Sequence, residues 1–171
     1  DYYCRMFGLG PQKVEVLAVG FDDEIFTKSR AKHGRQASNH RTAFKVVFFG
    51  SFLPLHGVET VVQAASLVAN EDRSVDFLFI GSGQTLPRVK QMAAELGLAN
   101  VRFEDWTGQA SLASRVAAEA DVCLGIFGRT EKASRVVPHK IFQALALRKP
   151  VVTGRTPAVE AFFSHRRNIY L

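Results

Sequence analysis

ADVCLGIFGRTEKASRVVPHKIFQALALRKPVVTGRT, residues 120–156, reads as an apolar strand, a polar loop rich in Gly, Arg and Lys, a short helix opening just after Pro138, and a second apolar strand. Strand, loop and helix in that order make one unit of an open α/β sheet. In such a sheet the loop lies at the carboxyl edge, where ligands bind and where a helix N-terminus attracts anions. A phosphate-bearing ligand is the expectation this stretch sets.

The same alternation recurs on the N-terminal side. Residues 46–50 (VVFFG) form a buried-strand run, and residues 57–68 carry Val58, Val61, Val62, Ala65 and Val68 at helical spacing. Residues 75–81 (VDFLFIG) precede a helix over 86–96, and residues 101–103 precede a helix over 111–119. The strand around 122–126 leads to a helix over 140–147, the strand 151–153 leads to a helix near 158–163, and residues 168–171 begin another strand. Strands separated by helices of this length require right-handed parallel crossovers. The expected fold is therefore α/β, a three-layer, doubly wound, Rossmann-like parallel sheet.

Composition permits this fold. The chain has 171 residues, 47% apolar and 22% charged, the makeup of a globular domain with a sizeable core. No apolar run approaches the ~20 residues that span a bilayer, and DYYCRMFGLG lacks the basic and apolar regions of a signal peptide. Cys4 lies near the start and Cys123 sits inside an apolar strand as a small hydrophobe, so a reducing cytoplasm is the expected setting. Both ends read as cut from a longer protein, with residues 1–42 as the end of a preceding lobe plus a basic linker and 43–171 as a lobe truncated at its C-terminus.

The charge is unevenly placed. Between Ile25 and Val58 stand Lys28, Arg30, Lys32, Arg35, Arg41 and Lys45 with no acidic residue; of 22 Lys and Arg this leaves 16, against 16 Asp and Glu. A basic segment can serve nucleic acid or an anionic membrane. KSRAKHGRQASNHR has neither aromatic interleaving nor apolar periodicity, so it reads as a solvated loop, and no nucleic-acid partner is expected.

The glycines mark the ligand edge. Gly50 closes the first strand and Gly57 opens its helix, while Gly81 and Gly83 follow the second strand; each either admits a ligand close to the backbone or merely ends a strand. GSGQTL has Leu86 where a dinucleotide fingerprint needs its third Gly, and no P-loop run occurs. Asp22, Asp23 and Glu24 read as a solvated turn, and the histidines show no metal-ligand spacing. No serine sits in a nucleophile elbow. Arg129, Lys132, Arg135, His139 and Lys140 crowd one helix entry. Arg129 and Lys132 read as loop charges. Lys140 falls in the helix's first turn, where a cation is unfavourable unless an anion is near. Gln143, one turn on, either faces the same ligand or is simply exposed. Trp106, in the loop after Phe103, either flanks a ligand or caps the core.

These segments resemble the C-terminal lobe of retaining GT-B glycosyltransferases of family 4, also called group 1. GSFLPLHGVETVVQAA is similar to that family's first loop and helix, LFIGSGQTLPRVKQMAAELGLANVRF to its second unit, VVPHKIFQALALRKPVVT to its donor-site helix, and VLAVGFDDEIF to its linker. The resemblance implies sugar transfer from a nucleotide-diphosphate donor with retention of configuration, no metal and no cofactor. The acceptor, a glycan or a lipid-linked one, would bind a missing N-terminal lobe, with peripheral membrane association as a family-level corollary. Carried over, Gly50, Ser51, His56 and Gly57 would border the diphosphate, with Gly81 and Gly83 at the same edge. Arg135 and Lys140 would meet phosphate or sugar as the catalytic pair, and Gln143 would reach the ribose. Many members carry Arg or Lys in place of Ser51 and His56, and two Glu in place of Arg135 and Gln143. Protonation of His56 below about pH 6.5 is the expected way to regain that charge. A noncatalytic nucleotide-binding α/β module is the alternative.

Overall fold

The computed structural model describes residues 2–17, 19–33, 43–72 and 74–171. Its strands are β1 (Phe44–Phe49), β2 (Val75–Ile80), β3 (Val101–Glu104), β4 (Val122–Leu124) and β5 (Val151–Val152). The helices are α1 (Tyr2–Phe7), α2 (Asp23–His33), α3 (Val58–Glu71), α4 (Leu86–Glu95), α5 (Gln109–Glu119), α6 (Glu131–Ser134), α7 (His139–Ala146) and α8 (Pro157–Glu160). The strands form one parallel sheet in the order β3-β2-β1-β4-β5. From β1 the chain first winds outward to β3, then crosses back to β4, so the order reverses between β1 and β4. That reversal opens a crevice at the strands' carboxyl ends.

Two apolar layers cover the sheet. Val47 pairs with Leu78 and Phe49 with Ile80 in register, and these four face one layer with residues of α2, α5 and α7. Val46, Phe48, Phe77 and Phe79 face the other layer with α3 and α4. Burial on both faces is why FKVVFF reads as a continuous apolar run rather than an alternating one. Where the carboxyl ends of β4 and β5 meet, the buried Thr153 hydroxyl accepts from the Ile126 N–H and donates to its carbonyl, both at 3.0 Å. Thr153→Val keeps the shape and orphans that N–H. Urea unfolding should show a loss of about 1–3 kcal/mol; an unchanged midpoint would mean the bridge contributes nothing.

Two sequence expectations need correction. KSRAKH is not a loop: it is the second half of α2, which buries Phe26 and Ser29 against the lobe. Asp22 accepts a hydrogen bond from the Ile25 N–H at 3.0 Å, and Glu24 pairs with Lys28 one turn on. The acidic triplet thus opens a helix whose later turns are basic, the charge order a helix dipole favours. The rest of the expected linker, residues 34–42 with Arg35 and Arg41, lies outside the described residues. The strand expected over residues 168–171 is reduced to two isolated parallel bridges, Val152 with Tyr170 and His165 with Ile169.

Candidate functional site

The crevice between β1 and β4 holds a cleft of about 470 Å³ lined by Phe49, Gly50, Ser51, His56, Ser82, Trp106, Pro138, His139, Lys140 and Gln143. Its floor is built by loops stitched to one another. Gly50 donates to the Ile80 carbonyl at 2.9 Å, Phe52 to Ser82 at 2.8 Å, and Phe127 to His56 at 2.9 Å. Gly57, in the left-handed region at φ +60°, opens α3 beneath the loop after β4, where a Cβ would stand 2.5 Å from the Gly128 nitrogen.

Lys140 is the centre of this cleft. Pro138 sets the entry to α7, so the next turn carries His139 and Lys140 at its start and Gln143 one turn on. The Lys140 ammonium lies 3.7 Å above the centre of the Phe48 ring, 6% exposed, and its Nζ has no hydrogen-bond partner among the described residues. A cation–π contact offsets only part of the cost of removing an ammonium from water. Burial accordingly lowers its pKa from 10.5 to about 7. Gly50, at φ +121°, leaves the space beside it open: a Cβ there would stand 3.3 Å from both Cε and Nζ.

His56 does not regain a charge near pH 6.5. Its Nδ1 faces the Ser51 carbonyl, which only accepts, so that nitrogen carries the proton. Burial, helped by the neighbouring Lys140 charge and opposed by the Ser51 bond, lowers its pKa to about 4. The ring is a neutral wall, edge-on to Phe48.

The structure thus gathers Gly50, Ser51, His56, Lys140 and Gln143 around one cleft. Gly57, Gly81, Gly83 and Arg135 are not in its lining. A Cβ on Gly81 would lie 2.0 Å from the Gly50 carbonyl oxygen, and one on Gly83 2.7 Å from the Phe52 nitrogen; both glycines admit neighbouring backbone. Arg135 stacks 3.8 Å above the Tyr2 ring and pairs with Glu131 at 3.2 Å. Trp106 lines the cleft, half exposed, in the loop after β3, whose last residue Glu104 is held by Arg115 of α5. Sequence reasoning passed over Ser82, although its position between two glycines at a strand's carboxyl end was the available signal.

A nucleotide-sized cleft at the switch point, holding a buried lysine amino group without a hydrogen-bond partner among the described residues, agrees with the comparison to known families. The model of glycosyl transferases group 1 matches residues 43–171. The chain belongs to this family. Among curated relatives, D-inositol 3-phosphate glycosyltransferase from Thermomonospora curvata is 28% identical over 120 residues, 58% of this chain and 27% of that protein. The chain therefore spans about a quarter of that relative's length. Among solved structures, Anabaena Alr3699/HepE in complex with UDP is 20% identical with a TM-score of 0.72, over 98% of this chain and 45% of that one. WaaG, a glycosyltransferase involved in lipopolysaccharide biosynthesis, is 19% identical with a TM-score of 0.68, over 93% and 43%. The C-terminal domain of LpcC from Francisella tularensis is 16% identical with a TM-score of 0.63, over 89% and 79%. The fold is the Rossmann-like α/β of GT-B C-terminal domains.

Proposed function

We propose that this group 1 domain is the donor-binding lobe of a retaining glycosyltransferase that uses a nucleotide-diphosphate sugar without a metal or cofactor. The acceptor, a glycan or lipid-linked sugar on the cytoplasmic side, binds a lobe outside this chain. The observation that carries the reading is the buried Lys140 amino group, unpartnered among the described residues, at the sheet's switch point. As the sugar's anomeric C–O bond breaks, the electron pair stays on the departing phosphate, and a cation fixed there stabilises that charge in the transition state. A lysine doing this work needs no metal bridge. Gln143 offers hydrogen bonds to ribose or sugar hydroxyls, and Ser51 and Ser82 to phosphate oxygens. Retention of configuration, and the direct roles of Gly57, Gly81, Gly83 and Arg135, rest on the family resemblance; Arg135 reaches a donor only once released from Tyr2 and Glu131.

Calorimetric titration with UDP, GDP and ADP in EDTA tests this. Saturable binding of one nucleotide is expected, with an affinity unchanged by added magnesium. A folded chain that binds none of the three overturns the reading.

A further inference from the structure

We propose that the donor's diphosphate enters this cleft together with a proton: Lys140 waits as an uncharged amine and becomes the ammonium that holds the phosphates only when they arrive. The inference rests on the donor-lobe reading and adds to it a proton linkage.

The geometry supports it from each side. The amine is packed on the apolar Phe48 ring from β1, beside a glycine, and has no acceptor among the described residues. Three titratable side chains line the cleft: Lys140 and His139 from α7, and His56 from the turn before α3. Ser82 and Trp106, from the loops after β2 and β3, carry no charge, and no carboxylate among the described residues lines the cleft. Among the described residues the Phe48 ring alone favours the ammonium, and only in part, while burial and the positive end of α7 oppose it. Burial brings half-protonation to about pH 7. A diphosphate supplies two negative charges at hydrogen-bonding distance, which favours the protonated form. The balance is Lys–NH2 plus one proton from buffer, giving Lys–NH3+ against phosphate; loss of the nucleotide returns the proton. His56, neutral until about pH 4, is not the acceptor of that proton.

The test is calorimetry of the chain with UDP-, GDP- and ADP-glucose at pH 6.5 and 8, in buffers of different ionisation enthalpy. Both phosphates of these donors are diesters, without the proton a terminal phosphate loses near about pH 6. At pH 8 the bound donor should take up about 0.9 proton per site, since an amine half-titrated near 7 is then about nine-tenths neutral. Affinity should fall by up to about ten-fold per pH unit above 7. Lys140→Arg, permanently charged, should bind without proton uptake and with a flat pH profile; His56→Gln and His139→Gln should keep the uptake. Binding whose heat at pH 8 is the same in every buffer overturns the inference and leaves the donor lobe standing. Uptake that vanishes in His139→Gln overturns it too, and binding of no donor at either pH defeats both readings.

Discussion

Lys140→Met is expected to weaken nucleotide binding and to raise stability at the same time. Hydrogen bonds to a charged group contribute about 1.5–3 kcal/mol, so losing the ammonium should raise Kd by roughly 10- to 150-fold. The stability effect has the opposite sign. An amine whose pKa falls from 10.5 in the unfolded chain to about 7 in the folded one costs the fold on the order of 3–5 kcal/mol at neutral pH. Methionine fills the same space over Phe48 without that cost. In a chain of this length the variant should melt about 10 °C higher at pH 7. The unfolded chain binds more protons between pH 7 and 10.5, so wild-type stability gains from this group as pH rises through that window. The advantage of Lys140→Met should therefore shrink toward zero by about pH 10.5. Thermal unfolding of both proteins at pH 7 and pH 10, with titrations at pH 7, measures it. Equal affinity would remove Lys140 from the donor site; a variant less stable than wild type at pH 7 would mean the amine is well solvated or partnered.

That opposition of affinity and stability also explains what was legible in the sequence. A sheet buried on both faces announces itself through runs such as FKVVFF and VDFLFI, and the spacing of Val58, Val61, Val62 and Ala65 leaves no choice but a helix. Lys140 was legible because it breaks a local rule, a cation in a helix's first turn, and broken rules gather at functional sites. Helix α2 was hidden by composition. Phe26 is its deeply buried apolar residue, and with Ile25 beside it the helix packs on the core through too few apolar positions to print a stripe in the sequence. The state of His56 was out of reach for another reason. Its pKa depends on burial and on a lysine far away in sequence, which only the fold brings together. Arg135 was drawn from the loop that leads into the helix of Lys140, but its contact with Tyr2 joins residues far apart in the sequence, which no local pattern encodes.

Gly81→Ala is expected to be the most damaging methyl group added to any glycine among the described residues. Gly81 has φ +146°, a region closed to side chains at a cost of about 1–3 kcal/mol. Its Cβ would also lie 2.0 Å from the Gly50 carbonyl oxygen. Neither partner has room to retreat. The Gly81 N–H is bonded to the Glu104 carbonyl and the Gly50 N–H to the Ile80 carbonyl, both at 2.9 Å, so moving either loop breaks the β1–β2–β3 edge. Strain and clash together should cost at least about 3 kcal/mol, lowering the melting temperature by roughly 10 °C. Gly97→Ala separates the two causes. Gly97 also has positive φ, +61°, but nothing lies within 4 Å of its Cβ, so about 1 kcal/mol is expected there. Urea unfolding of both variants, followed by nucleotide titration, distinguishes two reasons for a glycine at position 81. If Gly81 serves the approach of backbone to backbone, stability falls steeply and affinity is lost with the distorted Gly50 loop. Were its role to admit a ligand, Gly81→Ala would cost no more than the backbone strain of about 1–3 kcal/mol and would lose affinity without a distorted Gly50 loop.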